Sequence, residues 1–202
     1  MSYVLENPED VQAHQEEHDK VVNGLPALLS EGDRVIWSQG DMRITVLDRL
    51  SPLEQRRQAE EIAILARKDT RYGAEVLFGE GELETHVFLL HRQNRVIGLL
   101  IMEKRNRIWQ TSWADWDAGK EPRELLEHLP IWSICFIWIL QCHRGSHLGQ
   151  TMINKAVAYL GVNFETVGWY IPPVTDSGKA LVRRCCPEVF YIAKSHLKIT
   201  NF

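Results

Sequence analysis

The sequence predicts an α/β (α+β) fold in which a mixed, mostly antiparallel central sheet is flanked by helices. Three observations carry that expectation. The residues Ile134 to Gly149, ICFIWILQCHRGSHLG, run an apolar strand into a basic, glycine-containing turn that opens a helix. Thr85 to Leu90 and Arg95 to Glu103 flank the polar turn His91-Arg92-Gln93-Asn94, a hairpin signal whose near-continuous apolar strands suit a sheet covered on both faces. Helical segments with recognisable start signals alternate with these strands.

The elements follow in order. Asn7-Pro8-Glu9-Asp10 reads as an N-cap, a proline at the first helical position and an acidic first turn, so a helix is expected from about Pro8 to Val22, stopping at Asn23-Gly24. Arg34 to Trp37 and Met42 to Leu47 read as short strands around Ser38-Gln39-Gly40-Asp41. Ser51-Pro52-Leu53-Glu54 is a capping box that launches a helix through about Lys68, burying Leu53, Ala59, Ile62, Ala63 and Leu65. After the hairpin, Asn106 to Pro130 reads as an irregular insertion carrying Trp109, Trp113 and Trp116, a loop partly packed over the core. The strand and turn at Ile134 lead into a helix from Gln150 to Leu160. Then come a strand Thr166 to Ile171, a loop Pro172-Pro173-Val174-Thr175, a short helix from about Asp176 to Arg184 and a last strand Glu188 to Ala193.

Composition narrows the class. A chain of 202 residues with 45% hydrophobic and 25% charged residues is ordinary for one soluble globular domain. The net charge of −4 gives no basic field, which disfavours direct binding to nucleic acid. The acidic residues Glu6, Glu9, Asp10, Glu16, Glu17 and Asp19 read first as a solvated helix face. Cys135, Cys142, Cys185 and Cys186 form no CxxC pair, and the start MSYVLENPED lacks a basic-then-apolar pattern, which points to a reducing intracellular compartment, nucleus or cytoplasm. The longest apolar run, Ile131 to Leu140, is about half of what a membrane span requires.

The strand-turn-helix unit builds an anion site. Free N–H groups at a helix start and the positive end of its dipole both face a bound phosphate, so a nucleotide-like cofactor is the first hypothesis. An initial hairpin differs from the repeated βαβ of a dinucleotide fold.

An antiparallel hairpin, then a strand ending in Arg144-Gly145-Ser146-His147-Leu148-Gly149 that opens a helix, then a strand, helix and strand, resembles the GNAT acetyltransferases. Three further segments resemble one branch, the cohesin acetyltransferases that modify lysines in establishing sister-chromatid cohesion. Asn7 to His14 through His18, then Val22-Asn23-Gly24, is similar to the second half of that branch's zinc finger. Ser133-Ile134-Cys135-Phe136-Ile137-Trp138-Ile139 is similar to its strand G-I-S-R-I-W-V, and Pro172 to Leu181 followed by Phe190-Tyr191 to its closing P-T-x-x-G-K segment and final strand. The resemblance implies a GNAT fold divided into a degenerate zinc-finger-like segment, 1–30, and an acyltransferase domain, 31–202. His147 stands where a glycine is usual.

The same resemblance implies acetyl-CoA, or a related acyl-CoA, as co-substrate. The N–H groups of Gly145, Ser146, His147, Leu148 and Gly149, with Arg144, would hold the pyrophosphate, and the splayed end of the strand, Ile137, Trp138 and Ile139, would pair with the pantetheine amides. His143 and His147 add either phosphate contacts or solvated surface. No metal is expected: a structural zinc site takes about four N or S ligands, no cysteine precedes His14, and His14 with His18 makes at most half a site. Cys135 replaces the branch's strand serine and Phe136 its arginine; Cys135 is either a polarisable site residue or buried core. Asp176 is a catalytic acid or a helix N-cap, with Pro173 and Ser177 alternatives for the equivalent place.

Transfer of an acetyl group to an amine needs a proton acceptor, for which Asp176, Glu165 and His143 are candidates, and a donor to the leaving thiolate, for which Tyr170 and Tyr191 are candidates. The tryptophan-bearing insertion could wall the acceptor pocket. The expected activity is acetyl-CoA-dependent N-acetylation of an amine, most simply a protein lysine. The alternatives are the same fold re-purposed for a small-molecule acceptor, with or without CoA, and a binding module that has lost turnover.

Overall fold

The computed structural model describes residues 8–28, 32–70, 84–126, 129–170, 176–186 and 188–193. Helix α1 (Pro8–Asn23) ends at the expected stop, where Gly24 takes a φ of +81° and its N–H reaches the Lys20 carbonyl at 3.0 Å. A β-carbon on Gly24 would lie 2.3 Å from the Val96 carbonyl oxygen, so both conformation and space demand glycine. Leu25–Pro26 forms the short strand β1, laid against the start of β5.

The hairpin β2 (Val35–Gln39) and β3 (Met42–Leu47) turns at Gly40-Asp41 and is followed by α2 (Leu53–Thr70). The sequence places Leu53 on the buried face of α2, but it is 53% exposed. The buried face begins instead with Gln55 and Gln58 and continues through Ala59, Ile62, Ala63, Leu65 and Ala66. The glutamines are tolerated there because they are bonded: Gln58 Nε2 donates to the Pro26 carbonyl at 2.8 Å and Gln55 Nε2 to Asp33 Oδ1 at 2.7 Å.

Strands β4 (Thr85–Arg92) and β5 (Arg95–Arg105) are longer at their tip than the sequence indicates. His91 and Arg92 remain in the ladder, and the turn is Gln93-Asn94 alone, with Gln93 at a φ of +52°. The expected loop over 106–130 is a second departure. It contains β6 (Ile108–Ser112), α3 (Trp113–Asp117) and β7 (Arg123–Leu125). Strand β6 pairs with β10 (Val189–Ala193), at the far end of the chain, so its ladder partner leaves no trace in the local sequence.

The remaining elements are β8 (Ile131–Ile139), α4 (Leu148–Leu160), β9 (Gly168–Tyr170) and α5 (Asp176–Cys185). Thr166, expected in a strand, closes the short 3-10 turn Phe164–Thr166. The loop over Pro172-Pro173-Val174-Thr175, with Ile171 and Asn7, lies outside the described residues. The sheet runs β2-β3-β4-β5-β8-β9-β10-β6-β7. β8–β9 and β9–β10 are parallel and the other pairings antiparallel.

Helices cover both faces. Tyr159 of α4 meets His86 and Phe88, and Met152 lies against Gly98, so α4 sits on the face of the Phe88↔Leu100 pair. Trp138, paired with Leu99, bonds Asp69 of α2 on the opposite face. Between the layers Ile44, Ile62, Phe88, Leu99 and Leu100 are fully buried. Among the described residues no helix is long and apolar enough to cross a membrane.

Candidate active site

Strand β8 changes character at Cys135. Met102 pairs with Ile134 and the preceding Ile101 with Phe136, so Cys135 is an extra residue, a β-bulge that re-aims the chain after it. On its other side β8 pairs with β9 only at Ser133↔Gly168 and Ile134↔Trp169. Beyond the bulge, Phe136 to Ile139 keep their ladder with β5 but have no strand partner on the β9 side among the described residues. The result is a notch inside the sheet, edged by open backbone groups.

The notch ends in a turn built to expose N–H groups. Gly145 takes a φ of +81°, which only glycine adopts freely, and His147 a φ of +60°. A left-handed histidine costs about 1–2 kcal/mol, and it occupies the place where the resemblance implies glycine. Helix α4 then starts at Leu148 without a side-chain cap. Among the described residues, the N–H groups of Gly145 to Gln150 have no acceptor.

The side chains of this turn are exposed but tied to neighbouring groups. Arg144 Nε donates to the Ile139 carbonyl at 2.8 Å, and its guanidinium closes an ion pair with Asp69 at the end of α2. Trp138 Nε1 donates to the same Asp69 carboxylate at 2.7 Å. Ser146 Oγ donates to the His143 carbonyl at 2.7 Å. Burial first, and the Arg92 charge second, lower the pKa of His143, which keeps it neutral near pH 7. A second cation, Arg184 of α5, lies 2.9 Å from His147 Nδ1. Arg184 and Asp69 escape sequence reasoning because each lies far along the chain from the turn it serves.

Two solved structures of the xEco2 acetyltransferase domain, one bound to a CoA conjugate, superpose with TM-scores of 0.64 and 0.62. They cover 83% and 84% of this chain and 99% of each domain, at 19% and 18% identity. The chain has the GNAT fold. A ribosomal-protein-alanine N-acetyltransferase from Brucella melitensis biovar Abortus 2308 matches at a TM-score of 0.46 and 13% identity, over 80% of this chain and 99% of that one. No family model and no curated relative matches the sequence.

Within this GNAT fold the candidate catalytic residues separate. Cys135 stands at the bulge, where burial first and the nearby Glu103 carboxylate second push its thiol pKa well above the ordinary range. The residue is partly exposed, yet its thiol is enclosed and keeps its proton. Glu165 is exposed in the turn Phe164–Thr166, and Asp176 is exposed at the first residue of α5. Tyr170 lies under the guanidinium of Arg105, 5.5 Å from its ring centre, while Tyr191 pairs with Gly168 and Gln110. The polar residues next to Cys135 are Glu103 and Arg105, an ion pair on β5 that sequence reasoning missed. Their signal was present: the charged run Glu103-Lys104-Arg105 closes a strand that is apolar from Val96 to Met102.

The tryptophans expected to wall a pocket are otherwise employed. Trp109 and Trp113 are buried, Trp113 packs on Phe190 at 4.4 Å between ring centres, and its Nε1 donates to the Cys186 carbonyl at 2.7 Å. Trp116 also packs on Phe190. His14 and His18 lie on the exposed side of α1 with ring centres 6.4 Å apart. Among the described residues no three His, Cys, Asp or Glu side chains converge to hold a metal ion.

Proposed function

We propose that the protein is an acetyl-CoA-dependent N-acetyltransferase acting on an amine, a protein lysine being the simplest acceptor. The observation that carries the reading is the continuity of the open edge of β8 with the uncapped start of α4. The pantetheine arm of CoA bears amides that pair like a strand, and its pyrophosphate needs converging donors. The edge Phe136 to Ile139 offers the first, and the N–H groups of Gly145 to Gly149 the second. Arg184 supplies positive charge at the turn, and Arg144 holds the turn to α2. That order leaves the thioester end toward Cys135, whose protonated thiol lines the reacting end without acting as a nucleophile.

Acetyl-CoA supplies an activated acetyl group, and the protein orients it and manages the amine's protons. The resemblance of the closing segment and of β8 to the cohesin acetyltransferases favours a lysine over a small molecule, as does the superposition on a domain bound to a CoA conjugate. Residues 31–202 form the acyltransferase unit in this reading, and α1 is joined to it by Glu17–Lys68 at 2.5 Å and Asp19–Arg95 at 2.6 Å.

Titration calorimetry with acetyl-CoA tests the reading. Binding at micromolar concentration, followed by release of CoA when poly-lysine is added, is the expected result. No binding at that concentration would overturn the reading, and binding without consumption would make the chain a ligand-binding module.

A further inference from the structure

Arg43 on β3 is a part-buried cation to which the fold gives no counter-charge. Its Nε and Nη2 atoms are buried without a hydrogen-bond partner, while the residue as a whole remains partly exposed. These two nitrogens form one edge of the guanidinium, the edge that holds a carboxylate or phosphate through two parallel bonds. The carboxylates that border β3 are engaged elsewhere: Asp41 pairs with Arg92 at 2.9 Å, and Asp48 with Arg34 at 2.8 Å. A buried cation without a partner is costly, and an apolar side chain would serve the core better at this position.

A second orphaned group stands beside it. His91 of β4 is the register partner of Arg43 and is 2% exposed. Its Nε2 is bonded to Thr45 Oγ1 at 2.8 Å, whereas its Nδ1 is buried without a partner. A lone pair at Nδ1 would draw a bond from the neighbouring guanidinium. None forms, which fits the tautomer in which Thr45 donates to Nε2 and Nδ1 carries the proton. Two donors of Arg43 and one of His91 then share one region of the sheet, with no acceptor for them among the described residues.

We propose that Arg43 and His91 bind a small oxyanion, a carboxylate or phosphate group, at a site separate from the notch. Strands β4 and β5 stand between β3 and β8, so the two sites do not share a wall. The guanidinium edge holds two oxygens of the anion, and His91 Nδ1 donates to one of them. The bound charge is the complement that β3 and β4 lack. Such a site is independent of acetyl transfer, and its loss leaves that reading untouched.

Urea unfolding at pH 7 and constant ionic strength tests the site, with sodium acetate or inorganic phosphate replacing sodium chloride. An anion that binds only the folded state stabilises it by mass action, so at about ten times its Kd the folded-to-unfolded ratio rises about elevenfold. In the unaltered protein that rise should saturate. Arg43→Met removes the donors and should show only the shallow, non-saturating effect that excluded salts have on any protein. If Arg43→Met does not fold, Arg43→Lys decides: an ammonium cannot present two parallel donors, and the saturable rise should need at least about fivefold more anion. Nitrogen-15 labelling of the arginines adds a local readout, because the Nε–H resonance that disappears in the Arg43 variant should shift with the same midpoint as the urea series. Saturation at lower acetate than phosphate assigns a carboxylate ligand, and the reverse order a phosphate. Equal rises in the unaltered protein and the Arg43 variants, or no saturable rise with either anion, overturn the proposal.

Discussion

The antiparallel half of the sheet and the notch between β8 and β9 are made from similar apolar strands, yet they keep polar groups in opposite states. Under α2, buried His91 bonds Thr45 Oγ1 through Nε2 at 2.8 Å. Burial first, and the Arg43 charge second, lower its pKa to about 4, so it is neutral at pH 7. At the notch, Glu103 and Arg105 form an ion pair, the edge of β8 has no strand partner among the described residues, and α4 starts without a side-chain cap. In the antiparallel half, burial keeps an enclosed histidine neutral beside the Arg43 charge. At the notch the charges are paired with one another, and it is the backbone donors of the turn that stay unsatisfied.

Variants can break that contrast or sharpen it. The largest effect is expected from Phe88→Ala, which empties a fully buried site between His86 and Tyr159. Urea unfolding should show a loss of about 4 kcal/mol, with acetyl-CoA affinity of the folded protein within about twofold. A larger change in affinity would mean that the two halves are not independent.

Acid should reveal the neutral histidine next. His91 takes up its proton near pH 6.5 when unfolded and near 4 when folded. Between those values the unfolded chain binds more protons, so stability is lost as pH falls through this window, by on the order of 3 kcal/mol. His91→Gln should flatten the pH dependence of the urea midpoint there; an unchanged slope would assign the acid sensitivity to other groups.

The smallest effects separate the two arginines of the turn. Arg184→Ala should weaken acetyl-CoA about tenfold, or 1.4 kcal/mol, and Arg144→Ala less than about threefold, because Asp69 already holds Arg144. Calorimetry showing the reverse order would put the turn's positive charge where the sequence motif places it.

Local chemistry was legible and long-range pairing was not. The stop of α1 at Gly24, the hairpins, and the strand-turn-helix from β8 to α4 could all be read, because proline, glycine and polar turns act within a few residues of where they stand. Strands β6 and β7 could not, since β6 owes its existence to β10. In the site, the exposed N–H groups of Gly145 to Gly149 follow from the motif, but the direction of Arg144 depends on Asp69, 75 residues earlier. The bulge at Cys135 has no signature in its own strand, because it appears only when β8 is set against β5. Glu103 is the last residue of the strand read from the sequence and Arg105 falls outside it; only the bulge places Cys135 beside both.

The position of the open edge has a consequence for solubility. At the margins of the sheet the exposed strands are poor templates for another chain: β2 is kinked by an extra residue, Ile36, and β7 is three residues long. The stretch of β8 that has no strand partner on that side among the described residues instead lies in the interior of the sheet, with β5 on one side and β9 anchored by its pairing with β10 on the other. A second protein molecule cannot bring a whole sheet edge into so confined a gap, whereas a single extended chain can enter it. The feature that exposes other β proteins to aggregation is thereby restricted to guests of one strand's width.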